Sequence, residues 1–185
     1  GSIRQPGDFL TLIEQHQLSI ELDQWVLEQA LTQLGAWQRQ GITLNLSINV
    51  SAYHLQHGDF GANLQQALER HPDVMPGRLT VEILETTALM DLRKISAVIL
   101  DGQALGVRFA LDDFGTGYSS LDYLKNLPAE ELKIDRGFVR GMLDDRDDLA
   151  ILEGIMGLAT AFGRTPIAEG VESIEHGEIL LQLGC

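Results

Sequence analysis

Residues 109–120 read FALDDFGTGYSS, and the rest of the chain is organised around this segment. It predicts a short buried strand, 107–111, that ends in the adjacent carboxylates of Asp112 and Asp113. A loop follows in which Gly115 and Gly117 supply backbone freedom. Successive side chains on a strand point to opposite faces, so we expect the start of the loop to turn Asp113 inward. Neighbouring carboxylates repel each other, so the pair is either a solvated acidic turn or a cation site in which one aspartate bridges two metals.

The composition limits the classes of function. The chain has 185 residues, a length typical of one domain, with 44% hydrophobic and 22% charged residues. Its 13 basic and 27 acidic residues give a formal net charge of −14, which argues against a nucleic-acid polymer or an anionic membrane surface as a partner. An anionic substrate would require metal cations or a few placed basic side chains.

Cysteine usage and hydropathy predict a cellular location. Cys185 is the single cysteine, which excludes an internal disulfide and fits a reducing cytosol. The sequence contains no apolar run of membrane-spanning length and no signal-peptide pattern. We therefore predict a cytoplasmic chain without a membrane segment, although a longer parent protein could be membrane-anchored.

The hydrophobic period alternates between helical and extended along the chain. Apolar residues three and four apart predict a helix over 22–39, and strict alternation over 44–50 predicts a strand. The same alternation recurs. It predicts strands at 79–85, 107–112, 131–135 and 165–169, and helices at 9–14, 52–70 (interrupted at 57–59), 91–105, 120–125, 136–143, 147–162 and 174–183. Five strands separated by helices indicate an α/β fold with a parallel sheet. Because no phosphate-binding glycine motif opens a helix, open nucleotide-binding sheets are disfavoured.

One polar residue lies near the C-terminal end of each predicted strand, about one strand–helix unit apart: Asn49, Glu82, Asp112, Lys133 and Glu169. In a (β/α) barrel these strand ends meet at one mouth, so we expect an amide, three acids and a lysine around one opening, with Asp113 beside them. Each residue alone has an ordinary explanation, such as a strand-end hydrogen bond or a surface charge. The set in register favours a metal site, and its oxygen ligands suit Mg²⁺ or Mn²⁺.

The histidines show no metal-ligand spacing, and we interpret all five as solvated: His16, His54, His57, His71 and His176.

Several motifs together resemble one family, the EAL domain, a phosphodiesterase for the bacterial second messenger cyclic di-GMP. The matching segments are LDQWVL (22–27), NVSA (49–52), VEILE (81–85), DDFGTGYSSL (112–121), LKID (132–135) and AEGVE (168–172). The resemblance runs essentially from end to end.

The resemblance implies a modified TIM (β/α)8 barrel, of which about five strand–helix units are present in this chain. It implies hydrolysis of one phosphodiester of cyclic di-GMP to linear pGpG with two Mg²⁺ or Mn²⁺ ions, and inhibition by Ca²⁺. By position, the residues that match the family's metal ligands are Asn49, Glu82, Asp112 (the bridging ligand), Asp113 and Glu169. The implied catalytic residues are Lys133, which matches the lysine beside the nucleophilic water, Glu169, which also has a base-like role, and Asp113.

Further positions match residues around the family's active site. Glu85 resembles the glutamate that anchors the loop after Asp113, and Asp135 and Glu172 match other active-site residues. The loop lies at the family's dimer contact, which implies a homodimer through Gly115–Ser120. Sensory or GGDEF domains commonly accompany such domains in longer proteins.

Two departures from the family pattern affect the interpretation. The Glu-Ala-Leu signature is absent, together with its strand and a ligand-holding arginine, and the family's last strand is also absent. We therefore expect residues 1–185 to be a single EAL-type domain that is incomplete at both ends. In addition, Leu84 stands where the family usually has Thr.

Three functions remain open from the sequence. The first is an active metal-dependent phosphodiesterase, favoured because every catalytic position that the chain covers holds the expected residue. The second is a catalytically inactive EAL-type receptor that binds cyclic di-GMP and signals to a partner domain. The third is a barrel that acts on an unrelated phosphoester.

Overall fold

The structure is a computed structural model that describes residues 5–117 and 121–185; the side chains of residues 121–123 lie outside this description. The strands are β1 (Leu46–Asn49), β2 (Leu79–Leu84), β3 (Arg108–Phe114), β4 (Glu131–Ile134) and β5 (Thr165–Ala168). The described α-helices are α1 (Leu10–Ile13), α2 (Gln17–Arg39), α3 (Ala52–His57), α4 (Phe60–Arg70), α5 (Glu85–Met90), α6 (Leu92–Ala104), α7 (Leu121–Asn126), α8 (Arg136–Gly141), α9 (Arg146–Ala161) and α10 (Ile174–Leu183). Short 3₁₀ turns cover Pro6–Asp8 and Pro76–Arg78.

The first of two compact units contains residues 5–83 and 97–108. In it β1 runs parallel to β2, from Leu46 opposite Leu79 to Asn49 opposite Glu82. Helix α2 packs against α3, α4 and β1. Its apolar stripe is buried as the helical period predicts, and Leu31 is completely inaccessible to solvent.

The second unit contains residues 84–96, 109–117 and 121–185. Here β3 pairs in parallel with β4, and β4 pairs in parallel with β5 in an unbroken register from Glu131–Thr165 to Ile134–Ala168. Helix α9 packs on α8 and against β4 and β5. The apolar face of these strands is fully buried, as at Leu132.

A β-bulge interrupts β3 where its two aspartates lie. Leu111 is opposite Leu132 and Phe114 is opposite Ile134, so β3 advances three residues while β4 advances two. The extra residue is accommodated by Asp113, whose φ of 53° makes it the single non-glycine residue with positive φ among the described residues. Aspartate tolerates this left-handed conformation better than most side chains.

The predicted alternation of strands and helices is confirmed, with differences at the ends of elements. Helix α2 begins at Gln17 and not at residue 22, because the His16 ring caps it by accepting a hydrogen bond from the Leu18 N–H. The strand predicted over 79–85 ends at Leu84, since Glu85 begins helix α5, which the sequence did not predict.

The prediction that all five histidines are solvated is wrong for two of them. His54 is completely buried, and its ring contacts the carboxylate of Asp23 and the amide of Asn63. His176 is also buried, and its Nδ1 accepts a hydrogen bond from the Glu172 N–H. These partners are distant in sequence or set by a helix start, so side-chain spacing alone did not reveal them.

Within the part of the chain that the structure describes, no helix is both long and apolar enough to cross a lipid bilayer.

Alanine substitutions at two glycines, followed by urea unfolding, test the backbone geometry of the fold. Gly106 follows α6 with a φ of +87°, and a Cβ there would lie 3.4 Å from Pro76. We expect Gly106→Ala to lower the free energy of unfolding by about 1–2 kcal/mol, because an L-residue is strained in this conformation. Gly157 lies inside α9 with open space around it, so Gly157→Ala should raise the same quantity by about 0.5–1 kcal/mol. Equal effects of the two substitutions would contradict the described backbone.

Candidate functional site

Three carboxylates converge in the second unit. Asp112 lies on β3, Asp113 is the bulged residue beside it, and Glu169 directly follows β5. One carboxylate oxygen from each lies within 4.8 Å of the others. The bulge explains this convergence, because on a regular strand the side chains of residues 112 and 113 would point to opposite faces.

Lys133 joins this acidic cluster from β4. Its Nζ lies 2.9 Å from Asp112 Oδ1 and 2.6 Å from Glu169 Oε1. The lysine side chain is 12% exposed and that of Asp112 is 11% exposed, so both charges are largely removed from water. Such a pair is held in place because each charge depends on the other for compensation.

The backbone fixes the positions of these side chains. The Glu169 N–H donates to the carbonyl of Ile134 at 3.3 Å, which continues the β4–β5 pairing past the end of β5. The Asp113 N–H donates to Asp112 Oδ1 at 3.1 Å, which orients the Asp112 carboxylate. The cluster therefore rests on the register of three neighbouring strands.

The electrostatics of the cluster favour a cation. Burial raises the pKa of Asp113, and the neighbouring carboxylates of Asp112, Asp135 and Glu169 raise it further, while Lys133 opposes them. Three clustered carboxylates against one ammonium leave an excess of negative charge when all are ionised. A bound divalent cation would offset this excess.

The donor set fits a hard divalent ion. Mg²⁺ binds oxygen at about 2.0–2.1 Å, so ligands on opposite sides of one ion lie about 4.2 Å apart. The three carboxylate oxygens all lie within 4.8 Å of one another, a spacing comparable with that span, so one ion could contact all three. Carboxylate oxygens are the ligands that Mg²⁺ and Mn²⁺ prefer.

Two further sequence-predicted ligands lie in the first unit. Asn49 ends β1 and is directly opposite Glu82 of β2. Val50, the next residue, donates its N–H to the carbonyl of Glu82 at 3.2 Å, and this bond extends the pairing. Glu82 is buried, whereas Asn49 is exposed.

Glu85 is held by the loop after Asp113. Its Oε2 accepts the N–H of Gly115 at 3.0 Å and that of Gly117 at 3.3 Å. Glu85 is 1% exposed, and this burial raises its pKa despite the opposing backbone hydrogen bonds. A Cβ on Gly117 would lie 3.1 Å from the Glu85 carboxylate, so a side chain there would press on this carboxylate. Leu84, at the departure from the family pattern, is the N-cap of α5 and makes no side-chain cap hydrogen bond.

Asp135 and Glu172 have contacts of their own. Asp135 caps α8 by accepting the Gly137 N–H at 2.8 Å. Glu172 forms an exposed ion pair with Arg140 of α8, with the Arg140 Nε at 2.8 Å. Arg140 was not predicted from the sequence, where its only signal was its position near the end of the helix that follows Asp135.

The predicted dimer contact lies partly outside the described residues. Gly115, Thr116 and Gly117 are described, but residues 118–120 of the predicted Gly115–Ser120 contact are not. Homodimerisation through this loop stays a prediction.

Comparisons with known proteins identify the family. The sequence model of the EAL domain matches residues 1–185. The bifunctional diguanylate cyclase/cyclic di-GMP phosphodiesterase MucR of Pseudomonas aeruginosa is 41% identical over 181 residues, which are 97% of this chain and 26% of that protein. A cyclic di-GMP phosphodiesterase of the same organism is 34% identical over 182 residues, 97% of this chain and 30% of its own length. The chain thus spans little more than a quarter of the length of these curated relatives.

A solved structure agrees with the sequence comparison. The phosphodiesterase PaMucR in complex with c-di-GMP superimposes with a TM-score of 0.92 at 41% identity, over 98% of this chain and 73% of that one. EAL domains have a TIM-barrel-like fold, as the sequence predicted, and the parallel strands that alternate with helices in this chain agree with it. On the sequence match and this structural likeness, the chain belongs to the EAL domain family.

Proposed function

We propose that this chain hydrolyses cyclic di-GMP as a metal-dependent phosphodiesterase. The observation that carries the proposal is the convergence of Asp112, Asp113 and Glu169 around Lys133. Named cyclic di-GMP phosphodiesterases among the relatives support the substrate. The receptor alternative is not favoured, because each catalytic position covered by the chain holds the residue that the family pattern expects.

The proposed cofactors are two Mg²⁺ or Mn²⁺ ions. As their ligands we propose the residues that the family resemblance implies: Asn49, Glu82, Asp112, Asp113 and Glu169. When bound, such ions lower the pKa of a shared water, neutralise the phosphate and stabilise the leaving oxygen. By the same resemblance, Asp112 would be a ligand to both ions.

The chain's own residues carry the remaining steps. Lys133 would keep the attacking water oriented and offset the charge that develops on phosphorus, because its ammonium is fixed between two carboxylates. Glu169 is the proposed base that accepts the proton of that water. The water oxygen forms a bond to phosphorus, one phosphorus–oxygen ester bond breaks, and the freed ribose hydroxyl takes up a proton. The product is linear pGpG.

The loop after Asp113 is the proposed regulatory element, and Glu85 is its anchor. The Glu85 carboxylate binds backbone N–H groups of the loop, so it fixes the segment that begins two residues after Asp113. The relatives are longer than this chain. We propose that sensory or GGDEF domains in a longer protein would regulate the activity.

Hydrolysis of cyclic di-GMP by the purified chain is the direct test. With Mg²⁺ or Mn²⁺ we expect pGpG as the product by liquid chromatography, loss of turnover with EDTA, recovery on adding Mn²⁺, and no activation by Ca²⁺. Binding of cyclic di-GMP without turnover under all these conditions would refute the enzyme and support the receptor. Turnover that survives EDTA would refute the metal requirement.

Two substitutions in the cluster should separate metal binding from chemistry. Asp112→Asn removes a charged ligand, so we expect Mn²⁺ binding to weaken at least about 10-fold and kcat to fall at least about 100-fold. Lys133→Met should lower kcat by a similar factor while Mn²⁺ binds as tightly or more tightly, since a competing cation is gone.

Mn²⁺ binding by calorimetry and steady-state hydrolysis provide the measurements. Lys94→Met and Asp101→Asn, both on the exposed side of α6, are matched controls that should change neither quantity. Wild-type turnover in Lys133→Met would remove Lys133 from the mechanism.

Glu85 should give the fold a distinctive dependence on pH. Its pKa is raised in the folded protein from the usual 4.5, so ionisation is less favourable in the fold than in the unfolded chain. Its contribution to stability is therefore fully present below pH 4.5 and is lost as the pH rises through the folded pKa.

The free energy of unfolding of wild type minus that of Glu85→Gln should consequently decrease from pH 4 to pH 7. Urea unfolding at several pH values measures it, with Glu178→Gln on α10 as an exposed control. A difference that increases with pH would contradict the dominance of burial over the loop's hydrogen bonds.

A further inference from the structure

A buried polar cluster in the first unit has no role in the chemistry proposed above. Its centre is Asp23, which lies on the buried face of α2 and is 9% exposed. A carboxylate removed from water in this way is costly unless several donors compensate it. An apolar residue at position 23 would avoid this cost, but it could not bind the polar groups that surround Asp23.

All described donors to Asp23 come from the short segment that follows β1. Asp23 Oδ2 accepts the backbone N–H of Ser51 at 3.0 Å and the Ser51 hydroxyl at 2.6 Å. It also lies 3.2 Å from Nδ1 of His54. One carboxylate oxygen on α2 thus holds both the start of α3 and the loop before it.

His54 is itself fixed in orientation. Its Nε2 lies 3.1 Å from Nδ2 of Asn63, so the amide donates to Nε2 and the proton on Nδ1 points to Asp23. Phe60 packs edge-on against the ring at 5.2 Å. A Cβ on Gly58 would lie 2.5 Å from the ring, so glycine leaves the space that the imidazole occupies.

The segment held in this way begins immediately after Asn49. Val50 donates its N–H to the carbonyl of Glu82 on β2, and Ser51 donates the next N–H to Asp23 on α2. Two consecutive backbone N–H groups are therefore bound by two different elements, β2 and α2. The Asn49 side chain is exposed and makes no hydrogen bond to the described residues, so its backbone sets the position from which the amide extends.

We propose that Asp23, acting through Ser51 and His54, is a positioning residue that places Asn49 for metal binding. The inference rests on the proposed role of Asn49 as a ligand. It gives a function to two motif segments, LDQWVL and NVSA, whose aspartate and serine have no part in the chemistry itself. Residues that orient metal ligands from outside typically contribute about 10–100-fold to metal affinity or activity.

Substitutions at Asp23 test the proposal by two readouts on the full chain. The first is the Kd for Mn²⁺ by calorimetry without substrate, and the second is the side-chain amide NMR signal of Asn49 in the metal-free protein. We expect Asp23→Ala to raise the Kd about 10-fold and to shift the Asn49 signal. Asp23→Asn should give an intermediate effect, because its carbonyl oxygen can still accept from Ser51.

Asp59→Ala is the matched control. Asp59 caps α4 in the same unit by accepting the Ala62 N–H, and its described hydrogen bonds do not involve residues 50–54. It should lower the unfolding midpoint and leave both the Mn²⁺ Kd and the Asn49 signal unchanged. If Asp23→Ala does not fold, Asp23→Asn and Ser51→Ala decide the question by the same readouts.

The outcomes separate this inference from the proposed function. Folded Asp23 variants with a wild-type Kd and an unchanged Asn49 signal would overturn the positioning role, as would an equal effect of Asp59→Ala. If wild type binds no Mn²⁺ and hydrolyses no cyclic di-GMP, the proposed function fails. The Asn49 signal then decides alone whether Asp23 positions that residue.

Discussion

The ion pair that Lys133 makes with Asp112 and Glu169 depends on the register of three parallel strands. Each partner comes from a different strand or its immediate end: β3, β4 and β5. Slipping one strand by a single residue would turn its side chain to the opposite face and leave a buried charge without compensation. The cluster and the sheet therefore specify each other. Burial of the apolar face, including Leu132, fixes the register of the strands, and that register brings the charged side chains of the polar face together.

The bulge at Asp113 adds what regular strands cannot provide. The side chains of two adjacent residues on a strand point to opposite faces. A pair of neighbouring carboxylates can therefore converge only where the backbone departs from extended geometry. The left-handed conformation of Asp113 is costly for a residue with a side chain, and mutual repulsion adds to that cost. Backbone strain at Asp113 together with charge repulsion from Asp112 is typical of a functional position, where a bound cation would offset the repulsion.

The sequence predicted the parts of the fold that depend on local pattern. The alternation of strand and helix and the polar ends of the strands followed from hydrophobic period, and Lys133 was correctly placed on its strand. The role of the individual site residues stays a prediction. What the sequence did not predict depends on distant partners. Asp113 was expected to turn in the loop, but it turns inside β3, at the bulge. A bulge is defined only by the pairing with the neighbouring strand, so the sequence of β3 alone did not reveal it. The burial of His54 likewise depends on Asp23, which lies 31 positions away.

The large surplus of acidic residues has a second use besides the cluster. Outside it, two carboxylates on helices bind the backbone N–H groups of segments that follow strands: Asp23 binds Ser51, and Glu85 binds Gly115 and Gly117. A carboxylate is well suited to this task, because its oxygens can accept several N–H groups at once. Loops that carry side chains for chemistry must be placed accurately, yet they lack the repeating bonds of helices and sheets. Acidic residues on the surrounding helices hold these loops in place. Acidic residues therefore serve both as proposed metal ligands and as the groups that would position the neighbouring loops.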